Sequence, residues 1–436
     1  MIHRPSRRDI VTATVKVAAI GAVGVGRPAI ARAQPPRAQP PSRPVAGTVS
    51  HIDALLRAAT SAGEVPGVVA LAATDNDIVY EGMFGRRRLP DGAAMTRDTV
   101  FRVASMVKLI TSVAALQLVE QGRLSLDAPV PDLDPALGSP QVLDGFDAKG
   151  LPQLRPPKRA IFLRDLLTHT AGFTYRLWDA KAVQYAKAIE LLPAAERSKA
   201  PRTPLMFDPG ERWQYGTSID WVGRIVEHVS GERLDGYFRQ HILDPLGMND
   251  TAFVVSPQQR QREASAHRRG PNASLVAQPM EPLQNDRKSF SGGGGIYSTA
   301  PDYLTLIRTL LRGGTLDGVR ILRPETVASM GENQIGNIEA GVMKSTAPAA
   351  SNDVDFFPGI SLRWGFGHMI NMQGVPQGRG PGSLTWGGLL NTYYWIDPAA
   401  RVAAVFMTQV LPFADRRSLQ VYRQFERGVY AAVKAQ

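Results

Sequence analysis

The chain has 436 residues, of which 44% are hydrophobic and 20% charged, so a disordered or fibrous protein is excluded. It contains no cysteine, which excludes disulfides, a thiol nucleophile, iron–sulfur clusters and cysteine-ligated zinc. The formal net charge of +11 would suit a nucleic-acid partner, so the position of that charge along the chain has to be examined.

The first 33 residues have the composition of an export signal. They hold six Lys and Arg residues and one Asp, a net charge of +5 that leaves +6 for the rest of the chain. Residues 6–11 contain a twin-arginine pair, residues 11–26 are mildly apolar, and residues 31–33 match a small-x-small cleavage site. We therefore predict a twin-arginine signal over 1–33, a proline-rich linker over 34–47, and a periplasmic or secreted bacterial protein.

The charge and the apolar run of the first 33 residues also decide which partners are expected. Because nearly half of the excess charge lies in the predicted signal, no nucleic-acid partner is expected for the mature chain. The apolar run is shorter than the ~20 residues that cross a bilayer, so no stable membrane insertion is expected after cleavage.

Hydrophobic spacing predicts strands near both ends of the chain and helices between them. After a helix at about 52–62, strands are expected at 68–73 and 78–80, followed by a helix at about 105–121 that ends at Gly122. Further helices are expected at 163–167, 180–191, 218–229, 234–243, 301–312, 324–330 and about 414–433, and further strands at 392–396 and 402–407.

This order of elements predicts an α/β fold of the α+β type. An antiparallel sheet flanked by helices would be built from both ends of one domain over 48–436. A mostly helical subdomain over about 110–290 would be inserted into it.

A serine and a lysine lie three residues apart at the start of the helix predicted at about 105–121. Ser105 and Lys108 would share one helix face. A serine hydroxyl is a weak nucleophile that needs a base, and a buried lysine can supply one. Alone, Ser-x-x-Lys is common, and a capping serine followed by a solvated lysine is the simpler interpretation. Two further segments favour the catalytic one: Tyr215 in a turn before a helix, and Trp-Gly-Gly at 386–388 before a strand.

With these three segments in this order, the chain resembles the serine β-lactamase and penicillin-recognising superfamily. Within it, the chain is most similar to the class C β-lactamase-like esterases, called family VIII carboxylesterases. The resemblance covers most of residues 50–430 and extends to Leu-Leu-Thr-His-Thr-Ala-Gly at 166–172 and Leu-Asp-Pro-Leu-Gly-Met at 243–248. It implies a serine β-lactamase-like fold and hydrolysis of short- to medium-chain esters, with no metal or organic cofactor.

The resemblance also implies roles for individual residues. Ser105 would be the nucleophile, with Lys108 as its partner and Tyr215 as the general base. The oxyanion hole would use the backbone N–H groups of Ser105 and Leu389. The residues implied to bind the small-molecule ester are Trp386, Gly387, Gly388 and Thr217.

Two departures from the lactamase pattern bear on the substrate. Trp386 stands where lactamases have lysine, which removes a charge for a substrate carboxylate and favours neutral esters over penicillins. Thr217 stands where Asn or Ser is usual, and a threonine hydroxyl lacks the hydrogen-bonding fork of an amide. A β-lactamase or D-amino-acid peptidase, and an acyltransferase to an alcohol, remain alternatives. The oligomeric state and the natural substrate stay open.

Other candidate residues receive simpler interpretations. The chain has no Gly-x-Ser-x-Gly elbow, and its seven histidines show no ligand spacing. We expect His169 to make structural hydrogen bonds rather than act as a triad base, and His368 to support the site from behind. The glycine run at 292–295 predicts close backbone packing beneath the site. Three aromatic residues can equally line an acyl pocket or belong to the core: Phe173, Trp178 and Trp213.

Overall fold

The computed structural model describes residues 46–434 except 135, 136, 138, 198, 199, 202 and 284–286. The predicted signal peptide and the first twelve residues of the predicted linker lie outside the described residues. The first helix starts at Ala46, two residues before the predicted domain boundary.

Twelve α-helices are found in the described part of the chain. They are α1 (Ala46–Ser61), α2 (Val107–Glu120), α3 (Val130–Leu133), α4 (Leu163–Leu167), α5 (Ala180–Glu190), α6 (Ala194–Arg197), α7 (Ser218–Ser230), α8 (Leu234–Phe238), α9 (Pro257–Arg262), α10 (Ala300–Leu311), α11 (Pro324–Met330) and α12 (Arg416–Lys434).

Sixteen strands accompany these helices in the described residues. They are β1 (Gly67–Thr74), β2 (Ile78–Gly85), β3 (Phe101–Arg102), β4 (Val142–Phe146), β5 (Pro152–Arg155), β6 (His267–Arg269), β7 (Leu275–Ala277), β8 (Tyr297–Ser298), β9 (Thr315–Leu316), β10 (Val319–Arg320), β11 (Leu362–Trp364), β12 (Met369–Asn371), β13 (Ser383–Gly388), β14 (Thr392–Asp397), β15 (Val402–Met407) and β16 (Val410–Leu411).

A seven-stranded sheet joins the two ends of the chain, in the order β11-β12-β13-β14-β15-β1-β2. Every neighbouring pair in it is antiparallel. The link between the chain ends is β1 against β15, in the register Val69↔Met407 and Leu71↔Val405. Both strands are buried along their whole length, which fits a central position covered on both faces. The predicted antiparallel sheet built from both ends is confirmed.

The two faces of the sheet carry different helices because successive strand residues point in opposite directions. On β14, Trp395 packs against Phe425 of α12, with ring centroids 5.6 Å apart. Its neighbour Tyr394 packs on the other face against Tyr303 of α10, at 5.4 Å. Helix α1 lies beside α12. Helices therefore flank the sheet on both sides, as predicted.

The helix that follows β3 differs from its prediction at the N-terminus. Residues 104–106 form a 3-10 turn, and α2 itself begins at Val107. The reason is Ala104, whose φ of 45° is left-handed and interrupts the helix before Ser105. Residues 107–118 are all buried, so α2 is a central helix of the domain. Its C-terminus is as predicted, with Gly122 at φ 71°.

Several short strands were not predicted from the sequence. Trp386, Gly387 and Gly388 were expected to precede a strand, but they form the end of β13, with Trp386 paired to Tyr394. Paired glycines weaken the β propensity that the prediction relied on. The region 110–290 holds α3 to α9 together with the hairpins β4–β5 and β6–β7. In the described part of the chain, no helix is long and apolar enough to cross a bilayer.

Candidate active site

Ser105 lies in a turn that is fixed from two sides. Before it, Phe101 of β3 pairs with Ser298 of β8. On the other side, Gly388 at the end of β13 packs against the carbonyl oxygen of Val103, and a Cβ at position 388 would come within 2.3 Å of that oxygen. Only glycine fits this approach. The turn leaves Ser105 partly exposed, directly before the buried helix α2.

Lys108 is buried behind Ser105, with 1% of its surface exposed. Its Nζ lies 3.5 Å from Ser105 Oγ, 3.2 Å from the Tyr175 hydroxyl and 2.6 Å from the carbonyl oxygen of Gly293. It also lies over the Tyr215 ring, 4.7 Å from the centroid. Lys108 is therefore within hydrogen-bond distance of the predicted nucleophile.

Tyr215 is held by aromatic neighbours. The ring is 2% exposed and packs against Trp178 and Trp386, at centroid distances of 5.4 and 4.8 Å. Its hydroxyl accepts a hydrogen bond from the Trp386 indole N–H at 3.2 Å. Tyr215 thus lies beside Lys108 as predicted from the resemblance, but the partner of its hydroxyl is Trp386.

Two residues that the sequence analysis did not single out complete the surroundings of Lys108. The Tyr175 hydroxyl, which accepts from Lys108, donates to Asp220 Oδ2 at 3.2 Å. Burial, and then the charge of Asp220, raises the pKa of Tyr175 well above its usual value, so this phenol stays protonated. Ser291 donates to the other oxygen of Asp220 and accepts from the backbone N–H of Gly293 at 3.0 Å.

The available sequence signals for these two residues were weak. Tyr175 comes three residues after the Leu-Leu-Thr-His-Thr-Ala-Gly segment at 166–172, and Asp220 lies in the first turn of α7, where acids are common. The glycine run at 292–295 packs closely, as expected: a Cβ on Gly292 would lie 2.5 Å from the carbonyl oxygen of Ile219.

The Trp-Gly-Gly segment lies beneath the site. Trp386 is 2% exposed and packs on Trp364 and Phe356, at 4.7 and 5.9 Å. Gly387 and Gly388 are buried in β13. The Trp386 ring is therefore buried against Tyr215 and does not line the cavity beside Ala104, although the resemblance implied that Trp386 binds the ester. Leu389, which follows β13, is partly exposed.

A cavity of about 340 Å³ adjoins the turn that carries Ser105. Ala104 and Leu389 form part of its lining. The other apolar residues that line it are Phe253, Val254, Val255, Pro282, Leu283, Ile296 and Leu390, and the charged ones are Arg102, Arg260, Glu281 and Arg287. Arg102 and Glu281 form an ion pair at 2.5 Å. The wall of the cavity is thus mixed, with apolar and charged side chains both contributing to its lining.

The three aromatic residues that were candidates for either an acyl pocket or the core belong to the core. Phe173, Trp178 and Trp213 are 2%, 8% and 6% exposed, and none lines the cavity beside Ala104. Thr217 directly precedes α7, and its hydroxyl is buried without a hydrogen-bond partner among the described residues.

His169 is packed, not hydrogen-bonded, which corrects the expectation from the sequence. Neither ring nitrogen has a partner in the described part of the chain, and the ring lies 4.9 Å from Tyr215 and 5.2 Å from Trp364. Burial, and then the charge of Lys108, lowers its pKa well below the usual value, so the ring is neutral. His368 bonds Tyr394 at 3.1 Å, and burial lowers its pKa to about 3. Neither histidine hydrogen-bonds to Ser105.

Comparison with known proteins gives matches over nearly the whole domain. The family model described as Beta-lactamase matches residues 52–427. The ML-236A carboxylate methylbutanoyltransferase of Penicillium citrinum is 32% identical over 410 residues, covering 89% of this chain and 96% of that protein. The lovastatin esterase of Penicillium rubens is 32% identical over 403 residues, covering 88% and 99%. A mutant simvastatin synthase from Aspergillus terreus superposes with a TM-score of 0.78 at 29% identity, covering 89% of this chain and all of that one.

Proposed function

The chain belongs to the Beta-lactamase family, and from that membership we propose that it is a serine carboxylesterase that forms an acyl-enzyme on Ser105. The observation that carries the proposal is the approach of Lys108 Nζ to Ser105 Oγ at 3.5 Å, at a partly exposed turn beside a cavity. A nucleophile and a base within such a distance are the first requirement of covalent catalysis.

In acylation, Ser105 Oγ bonds to the ester carbonyl carbon while its proton passes to Lys108. We assign this step to Lys108 instead of Tyr215 because Lys108 is the residue in contact with the hydroxyl. The carbonyl oxygen becomes an oxyanion, for which the backbone N–H groups of Ser105 and Leu389 are the proposed donors. When the ester C–O bond breaks, Tyr215 gives its phenolic proton to the leaving alcohol. In deacylation the Tyr215 phenolate takes a proton from the water that attacks the acyl carbon, and Lys108 returns its proton to Ser105 Oγ as the acid is released.

The proposed substrates are esters with short- to medium-length apolar groups. A volume of about 340 Å³ has room for such a group, and Phe253, Leu283 and Leu389 give the cavity apolar contacts. The carboxylate-binding lysine of lactamases is replaced by the buried Trp386, which supports preference for esters over penicillins.

Acyl transfer to an alcohol is a second candidate, because one relative is named as a methylbutanoyltransferase and another as an esterase. The two reactions share the acyl-enzyme and differ only in whether water or an alcohol attacks it. We also propose export of the folded chain to the periplasm or medium, on the strength of the twin-arginine pattern in residues 1–33.

The test compares wild-type protein with Ser105→Ala on a p-nitrophenyl ester series and on nitrocefin, with and without added alcohols. Ser112→Ala is the matched control, since Ser112 is a buried serine whose hydroxyl has no partner among the described residues. We expect ester turnover by the wild type and the control, and none above background by Ser105→Ala. Undiminished turnover by Ser105→Ala would refute the mechanism. Faster turnover of nitrocefin than of esters would refute the substrate class, and ester products with added alcohols would establish transfer.

A further inference from the structure

The environment of Lys108 restricts the direction in which its amine can accept a proton. A neutral amine has two N–H donors and one lone pair. Three oxygens surround the nitrogen, those of Gly293, Tyr175 and Ser105. If the first two each accept an N–H, the lone pair is left facing Ser105. Tyr175 accepts from Lys108 only while its own proton points to another acceptor.

That acceptor is Asp220. An ionised carboxylate only accepts hydrogen bonds, so the Tyr175 proton is committed to Asp220 Oδ2 at 3.2 Å. The oxygen of Tyr175 is then free to accept from Lys108. Ser291 in turn donates to Asp220 and accepts from Gly293 N–H, and the carbonyl of Gly293 accepts from Lys108. The carbonyl of Gly293 can only accept and its N–H can only donate, so the two directions that depend on the charge of Asp220 are those of the Tyr175 and Ser291 hydroxyls.

We propose that Tyr175 and Asp220 are positioning residues that aim the lone pair of Lys108 at Ser105 and stabilise the ammonium formed when the serine proton is transferred. The inference rests on the proposed function, since it presumes that Lys108 is the base. Tyr175 accepts from Lys108 in both states, while the carboxylate offsets the new charge from behind the phenol ring.

Several titratable groups lie around Lys108, on different elements. Among them, Asp220 supplies the negative charge that offsets the ammonium. The rings of Tyr175 and Tyr215 lie 5.2 and 4.7 Å from the nitrogen. Burial, and then the charge of Lys108, lowers the pKa of His169, so this ring is neutral. Asp220 on α7 is the carboxylate in this set, and it is linked to Lys108 through a single tyrosine.

The test uses Asp220→Asn, which removes the charge, and Tyr175→Phe, which removes the acceptor. We expect each to lower kcat by roughly 10- to 100-fold with KM changed by less than about twofold. Because Asp220 favours the ammonium, Asp220→Asn should also move the acid limb of the pH–rate profile to lower pH. Asp220→Glu, which restores the charge, should return the limb toward its wild-type position, which a merely structural role would not produce.

Tyr430→Phe is the matched control, because Tyr430 donates at 2.7 Å to Asp397 in a buried pair outside this circuit. It should lower the melting temperature and leave kcat and the acid limb unchanged. Should Asp220→Asn fail to fold, Ser291→Ala tests the same circuit. It removes the hydroxyl that donates to Asp220 and helps to hold the carboxylate in place, so kcat should again fall, but by less. Wild-type kcat and acid limb in the Asp220 and Tyr175 variants, with Ser105→Ala inactive, would overturn the inference alone. Turnover by Ser105→Ala would instead overturn the proposed function.

Discussion

Two buried basic side chains in this protein differ in how they are connected to a carboxylate. Arg379, which is fully buried, donates directly to Glu426 from Nε and Nη2 at 2.9 and 2.8 Å. It also donates to the Tyr422 hydroxyl at 2.6 Å. Lys108 is as deeply buried, but it reaches Asp220 only through the hydroxyl of Tyr175. Each cluster contains a basic side chain, a tyrosine hydroxyl and a carboxylate, but their order differs.

The order of the groups explains why one cluster is structural and the other suits catalysis. A guanidinium does not lose its proton in proteins, and the direct pair ties α12 to the segment before β13. An amine can lose its proton, and a tyrosine between it and the carboxylate leaves one side of the nitrogen free for Ser105.

Lys108→Met should have the largest effect, on activity. Among the described residues no other group contacts the Ser105 hydroxyl to accept its proton, so kcat should fall by about 10³-fold or more. Stability should change little, because relief of the desolvation of the buried amine offsets the loss of its hydrogen bond to the carbonyl oxygen of Gly293. Steady-state rates together with urea unfolding measure both. Activity above about a tenth of wild type would break the distinction between the clusters.

Glu426→Ala should have the converse effect, on stability. It leaves Arg379 buried without its carboxylate, at a cost of about 3–5 kcal/mol in the free energy of unfolding, while kcat per folded molecule stays the same. Lys344→Ala, at the exposed Lys344–Asp353 pair, is the control and should cause no measurable loss. Equal stability of the two variants would contradict the structural role.

His267 is a buried side chain that gains a charge when the pH falls, whereas the guanidinium of Arg379 keeps the same charge. Burial lowers its pKa to about 4, and its Nε2 accepts from the backbone N–H of Leu89 at 3.1 Å. Because the folded pKa lies below the unfolded one, stability is complete above about pH 6.5 and is lost as the pH falls toward 4, by roughly 3 kcal/mol. Urea unfolding across this range should show a shallower loss for His267→Gln. An identical slope would exclude this histidine as the cause.

Trp386→Phe should have the smallest effect. It removes the indole N–H that donates to Tyr215 and keeps an aromatic ring, so the loss is about one hydrogen bond, or roughly 1 kcal/mol, seen as a five- to tenfold lower kcat. If the ring instead forms a substrate wall, KM and not kcat would change, and would depend on the acyl chain. A KM series over chain length separates the two outcomes.

The sequence predicts the sheet, the flanking helices and the proximity of Ser105 to Lys108 because these follow from local spacing. Side chains three residues apart in a helical segment lie on the same side, and alternate side chains of a strand lie on the same face, wherever the segment packs in the fold. The contacts of Tyr175 with Lys108 and of Trp386 with Tyr215 join positions 67 and 171 residues apart, and no local rule predicts them. The positive φ of Ala104 is likewise imposed by the strands and by Gly388 around it, since alanine itself favours helix.

The most direct test of the account is the intact mass of the protein quenched during turnover of p-nitrophenyl butyrate, followed by peptide mapping. We predict a mass increase of one butyryl group, located on the peptide that contains Ser105 and absent from Ser105→Ala. In Asp220→Asn the adduct should form more slowly than in wild type, while Tyr430→Phe forms it at the wild-type rate. Turnover without an adduct on Ser105, or with an adduct on another residue, would contradict the central claim.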